Sequence, residues 1–317
     1  MSLNSVTFWS DLLQKERIAT IQEYNNKDLD YELRRLLNSK LPAVNYTRTH
    51  LFGSRMMGIG EENSDLDIYV EFDDSFNKYE MGETREVLQR QRLIANAIKS
   101  DVNWTHIANV GGGCPIVTVV YKPEGRQCDI SFSCGLTYSQ NMLVKHLFDM
   151  QPIARYMVIF LRGWIKDIQL HSEFRNHILI LMVIFFLQHE HYLPGIDKLQ
   201  ANQSASIGVC VTKFSTEKLS DFTEIIGKNE VQGMLKRFFN FYSLFNFAKH
   251  AVCPYLGREI ERASLNRHMP TRYTHDRYFR RDTAVIQDFI QLNHNKGWLI
   301  KNTHIEKFQN KCRMELD

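Results

Sequence analysis

Asp65 and Asp67 flank a single leucine in the run Asn63-Ser64-Asp65-Leu66-Asp67-Ile68-Tyr69-Val70-Glu71-Phe72, whose apolar residues fall on every second position. On a strand, alternate side chains share a face, so Asp65, Asp67, Tyr69 and Glu71 project together while Leu66, Ile68, Val70 and Phe72 enter the core. Cys128-Asp129-Ile130-Ser131-Phe132 repeats the pattern, with Asp129 and Ser131 on the polar side. If the two strands are neighbours, three carboxylates converge. Carboxylates so crowded resist ionising unless divalent cations neutralise them. Oxygen-only ligands favour magnesium or manganese over zinc. Two such ions roughly 4 Å apart activate an attacking hydroxyl and stabilise a departing pyrophosphate oxygen. Upstream, Gly53 lets the backbone approach a phosphate closely, and Ser54 offers a hydroxyl at the opening of a helix whose amides attract the same anion. An acidic pair alone is common on surface strands; the Gly-Ser turn, the pair and the later Asp together are far more specific.

These groups need elements to carry them. Apolar spacing over residues 6 to 37 predicts two opening helices, with Leu12, Leu13, Ile18 and Ile21 in the first and Tyr31, Leu33, Leu36 and Leu37 in the second. From about 48 to 135 short period-two segments take over: Asp65 to Phe72, Pro115 to Tyr121 and Gln127 to Phe132, the last two joined by Lys-Pro-Glu-Gly. Between the first and second lies Arg85 to Ile98, an amphipathic helix crossing the sheet. After about 150 the pattern is helical: Ile153 to Ile168, His177 to His189 and Glu230 to His250. The last bears a stripe of Val231, Leu235, Phe238, Phe239, Tyr242 and Phe245 that reads as core. The expected fold is α+β, with N-terminal helices (1–38), a sheet domain (39–150) and a mainly helical domain (151–317).

Lys and Arg number 39 against 36 Asp and Glu, so any nucleic-acid contact must come from local patches. Arg258, Arg262, Arg267, Arg272, Arg277, Arg280 and Arg281 form one local basic excess, which suits polyphosphate or RNA and equally a solvated surface. The six cysteines show no C-x-x-C pair or zinc-ligand spacing and read as reduced thiols. The N-terminus turns charged before a signal-length apolar stretch accumulates, and the run Ile178 to Leu187 is about half the roughly 20 residues of a membrane span. These features predict a cytoplasmic protein, the nucleus being the alternative, with no membrane partner.

The Gly-Ser turn, the Asp65-Leu66-Asp67 strand and the later Asp129 strand resemble the nucleotidyltransferase superfamily that includes DNA polymerase β. Across nearly the whole chain the likeness is to the noncanonical poly(A) polymerases and terminal uridylyltransferases. Phe160-Leu-Arg-Gly-Trp-Ile-Lys166 is similar to that family's phosphate-binding helix, Leu181 to Gln188 with Leu193-Pro194 to its next buried helix, and Asp288-Phe-Ile-Gln-Leu-Asn-His-Asn295 to its nucleotide-recognition loop. Periodicity alone would draw residues 285 to 292 as helix; the resemblance implies a loop.

The resemblance implies a polymerase-β-like catalytic sheet domain (39–150), a poly(A)-polymerase-associated helical domain (151–317) on which the N-terminal helices (1–38) pack, the nucleotide lying in the cleft between the two domains, and Asp65, Asp67 and Asp129 as catalytic ligands of two magnesium or manganese ions. Nucleotide-binding positions carried over are Gly53, Ser54, Gln140, Asn141, Arg162, Lys166, Asn176, His177, Asp288, Gln291 and His294. Arg162 and Lys166, four apart on one helix face, suit the β and γ phosphates, a solvated pair being the alternative. The chain departs from the family at its base pocket: Asn176-His177 stands for Ser-Tyr, Gln140 for an Asn near the ribose, and Gln291 for Glu. His294 at this loop position favours uracil in uridylyltransferases, although taken alone it reads as an ordinary polar loop residue. The implied activity is template-independent addition of uridylate from UTP to the 3′ hydroxyl of single-stranded RNA, with Asp129 helping to deprotonate that hydroxyl. Competing readings are an ATP-using poly(A) polymerase, an RNA-binding or scaffolding protein of the same fold, and transfer to a small molecule such as an aminoglycoside.

Overall fold

A computed structural model describes residues 3–41, 47–73, 75–217, 222, 228–273 and 282–316. The chain divides into two compact units, one of Glu16–Met142 with Ala205–Gly208, the other of Met1–Lys15, Leu143–Ser204 and Val209–Asp317.

The first unit is built on a mixed sheet. Helices α1 (Phe8–Tyr24) and α2 (Lys27–Lys40) precede strand β1 (Thr47–Phe52), and the single turn α3 (Gly53–Met56) leads toward β2 (Leu66–Phe72). Then follow α4 (Arg85–Lys99), β3 (Trp104–Val110), β4 (Ile116–Tyr121), β5 (Arg126–Ser131) and α5 (Leu136–Met150). The sheet order is β1-β2-β5-β4-β3, antiparallel except where β2 runs parallel to β5. A parallel pair needs a crossover, and α4 with β3 and β4 supplies it. Leu66, Ile68, Val70 and Phe72 of β2 and Cys128, Ile130 and Phe132 at β5 pack with Val87, Ile94 and Ile98 of α4 in one core. The period-two reading of both strands thus holds, and the polar residues take the opposite face. Thr84 caps α4, its Oγ1 accepting the Val87 N–H at 3.2 Å.

Two boundaries differ from expectation. The helix α2 packs in the sheet unit's core through Leu29, Leu33, Leu36 and Leu37, and only Met1–Lys15 of the N-terminal region falls with the helical unit. Its leucine stripe fits any apolar surface, and periodicity does not say which. The division also falls at Met142/Leu143, inside α5, not at 150. One continuous helix carries no turn residues to mark the change of unit.

The second unit gathers α6 (Ile153–Asp167), α7 (Asn176–His189), a short α8 (Ile196–Leu199), α9 (Val231–Leu244) and α10 (Asn302–Met314), with a two-stranded ribbon of β6 (His250–Ala251) and β7 (Ile260–Glu261). Every residue of the run Ile178 to Leu187 is buried, and no helix is long and apolar enough to cross a membrane among the described residues. The stripe on α9 is core as read: Phe238, Phe239 and Tyr242 are fully buried, and the Tyr242 hydroxyl donates to the Met182 carbonyl at 2.8 Å. A smaller core of Ala251, Cys253, Ile260, Leu265, Met269, Tyr273, Val285 and Leu292 supports a loop over residues 285–295. All six cysteines stand outside disulfides, Cys114 exposed and the other five buried.

Candidate active site

The register of β2 on β5 makes Asp67 and Asp129 direct Cα partners on adjacent parallel strands. Such neighbours lie about 4.8 Å apart, and Asp65 stands just before β2, two residues from Asp67. Burial foremost, then the charges of Asp129 and Asp65, push the Asp67 carboxyl up to about 7. Asp65 is raised as well, by burial and by Asp129, against a hydrogen bond from Gln127. Asp129 Oδ1 accepts the Thr118 hydroxyl at 2.8 Å, Thr118 being its Cα partner on β4. No three Asp, Glu, His or Cys side chains form a ready metal cluster among the described residues. The crowded all-oxygen set, with Asp65 and Asp67 held back from ionising, nonetheless fits a hard divalent cation whose charge relieves the repulsion.

The turn before β2 is shaped around Asp67. Gly53 has φ +83, and a Cβ there would fall within 2.5 Å of the Asp67 Cγ and closer still to Oδ2. Glycine is required twice over, for its left-handed backbone and for the space. The Gly53 N–H donates to Asn141 Oδ1 at 2.9 Å, so Asn141, one of the nucleotide-binding positions carried over, ties α5 to this turn. Ser54 is half-buried beside it, and the helix it was expected to open runs for one turn only. Gln140 is half-buried on α5. Sequence reasoning missed Arg55, which is fully buried. Its Nε donates to Asn26 Oδ1 at 2.9 Å and an Nη to the Ser64 carbonyl at 3.3 Å, fixing the backbone next to Asp65. Burial and Arg126 lower its pKa to about 10, so it stays charged at neutral pH.

The helical unit holds the remaining positions. On α6 Arg162 is buried and Lys166 exposed, so the two cations differ in access to water although they share a face. Asn176 and His177 open α7 at the surface. His177 is open to solvent yet surrounded by protein, which together with Lys296 pulls its pKa down to about 4. Asp288, Lys296 and His294 all act on it electrostatically, so the structure brings His177 and the 285–295 loop together.

That segment is the loop the resemblance implies, not a helix. Asp288 N–H donates to the His294 carbonyl at 3.0 Å, and His294 N–H to the Gln291 carbonyl at 2.9 Å. Asp288 is 2% exposed; its Oδ1 accepts the N–H groups of Ile290 and Gln291, and Oδ2 pairs with Lys296 Nζ at 3.0 Å. Burial and Lys296 lower the His294 pKa. Two further residues escaped the sequence reading. Asn295 Oδ1 accepts from Ile286 N–H and Gly297 N–H while Nδ2 donates to Asp282 and Ala284, and buried Gln287 donates to the Leu292 carbonyl at 2.8 Å. Of the basic stretch, Arg262 donates to the Phe247 and Thr283 carbonyls and Arg272 to that of Val209, while Arg277, Arg280 and Arg281 lie outside the described residues.

The five-stranded mixed sheet, with its one parallel pair and its acidic face, gives the chain an α+β fold. Residues 8–147 match the family described as poly(A) RNA polymerase, mitochondrial-like, central palm domain. The chain is 22% identical over 282 residues to the mitochondrial poly(A) RNA polymerase of Mus musculus, covering 79% of this chain and 48% of that protein. It is 24% identical over 266 residues to human terminal uridylyltransferase 7, covering 79% of this chain and 17% of that protein. The chain therefore spans about half the length of the mitochondrial relatives. Among solved structures, the RNA terminal uridylyl transferase Cid1 superposes with TM-score 0.75 at 19% identity, over 98% of this chain and 92% of that one. The protein mtPAP bound to ATPγS gives 0.71 at 20% identity, over 94% and 66%.

Proposed function

We propose that this chain is a template-independent RNA 3′-terminal nucleotidyltransferase that adds uridylate from UTP. The observation that carries the reading is the pairing of Asp67 with Asp129 on a sheet whose preceding glycine is moulded to Asp67. Asp65, Asp67 and Asp129 would hold two magnesium or manganese ions, which when bound acidify the attacking hydroxyl and stabilise the pyrophosphate oxygen that departs.

The chain's own residues do the rest. Asp129 takes the proton of the RNA 3′ hydroxyl, its carboxylate steadied by Thr118. Gly53 and Ser54 receive the triphosphate, Arg162 and Lys166 neutralise its terminal phosphates, and His177 stacks on the base. His294, neutral at physiological pH, offers one donor and one acceptor to a pyrimidine edge and crowds a purine.

The matched palm family speaks for ATP as the alternative donor. Extension of a labelled single-stranded RNA with each of the four triphosphates in turn, in magnesium and in manganese, separates the readings. UTP is expected to extend at least about tenfold better than ATP, a difference of about 1.4 kcal/mol in transition-state binding. The reverse preference would assign ATP, and no tailing of any RNA in either metal would remove the activity.

A further inference from the structure

We propose that Lys296 determines base specificity, as a cationic donor that selects a base presenting carbonyl oxygens, uracil above cytosine and adenine. The inference rests on reading residues 285–295 as the base loop, and it assigns selection to a residue to which the family resemblance gives no role.

Asp288 carries the family's acidic position, yet its carboxylate is engaged by the chain itself. A carboxylate offers about four acceptor sites, and here the Ile290 and Gln291 N–H groups take Oδ1 at 2.8 and 2.9 Å while Lys296 takes Oδ2 at 3.0 Å. With 3% of its side chain exposed, Asp288 offers an incoming amine almost no carboxylate surface. Its role here is to hold Lys296. An ammonium carries three donors, and with 24% of its side chain exposed Lys296 keeps donors beyond the one directed at Asp288.

The charge is felt by both imidazoles of the neighbourhood. Lys296 stands two residues from His294, whose carbonyl accepts the Asp288 N–H at 3.0 Å, and its charge acts on the imidazoles of both His294 and His177. Neutral imidazoles each bring a donor and an acceptor, and the ammonium tips the balance toward donors. Uracil meets such groups with carbonyl oxygens at O2 and O4. Cytosine, of nearly the same size, replaces O4 by an amine, and adenine also presents an amine; either sets N–H against N–H. A site built to hydrogen-bond one group rejects the analogue lacking it far more strongly than a steric fit does.

The comparison of UTP with CTP therefore separates Lys296 from crowding by His294, since crowding treats two pyrimidines alike. Direct titration of the intact chain with UTP, CTP and ATP is paired with RNA extension for wild type, Lys296→Met and Lys296→Arg. Wild type is expected to favour UTP over CTP by about tenfold or more, Lys296→Met to reduce the ratio to about threefold or less, and Lys296→Arg to keep most of it. A wild type that binds CTP as well as UTP overturns the assignment even if Lys296→Met does not fold. A ratio unchanged in Lys296→Met overturns it while leaving the uridylyltransferase reading intact. Failure of the wild type to bind any triphosphate overturns both.

Discussion

A carboxyl group protonated up to about pH 7 would couple proton release to the binding of the proposed divalent ions at Asp67. Its folded pKa lies above the ordinary value of 3.8, so between the two the native chain holds a proton that the unfolded chain has lost. Stability from this group is complete below about pH 4, declines as pH rises, and is gone above about 7. The metal-free wild type should lose melting temperature across that window, whereas Asp67→Asn should lose less; parallel melting curves for the two would show that Asp67 titrates normally. The same variant should lower nucleotidyl transfer by at least about a hundredfold, if metal-assisted displacement carries the rate. Gly53→Ala tests the cradle instead of the ligand. Its methyl would collide with the Asp67 carboxylate and strain a backbone at φ +83. Activity should fall nearly as far as in Asp67→Asn, with weaker manganese affinity by titration; wild-type affinity would mean that the carboxylate moves aside without cost.

At the scale of elements, what could be read from the sequence is what depends on local periodicity. The faces of β2 and β5 were legible because alternation reports burial directly, and Asp65, Asp67 and Asp129 followed from it. That β5 lies parallel to β2 was not legible, because pairing is decided by the crossover through α4, β3 and β4. Nor were Arg55, Thr118, Gln287 and Asn295, whose roles are set by carbonyls and amides brought near by folding. The 285–295 loop shows the limit most clearly: its apolar spacing imitates a helix, but the bonds of Asp288 and Asn295 turn it back on itself. Asn295→Ala removes four hydrogen bonds from one buried side chain and should cost about 1–3 kcal/mol in stability. Because Asn295 acts on the loop and not on the acidic face, KM for the triphosphate should rise several-fold while kcat changes little. A fall in kcat with KM unchanged would count against assigning this loop to the nucleotide.

Charge is the property of the whole molecule that bears most on the RNA it is proposed to extend. A net charge of +3 over 317 residues gives little long-range attraction to a polyanion. Part of the basic stretch is also structural, since the guanidinium groups of Arg262 and Arg272 are directed at backbone carbonyls. Few phosphates should therefore be neutralised when single-stranded RNA binds. For single strands the slope of log K against log salt is roughly −0.7 per phosphate contact, so three to five contacts give about −2 to −3.5. Fluorescence anisotropy of a labelled oligouridylate, measured from low to moderate potassium chloride, should return a slope in that range and an affinity weak enough for the RNA to leave after few additions. A slope steeper than about −5 would mean a dedicated cationic track, and the arginines at 277, 280 and 281 would then be the first to replace with glutamine. If that replacement flattened the slope, RNA would be held by the stretch that carries them and not only at the 3′ end.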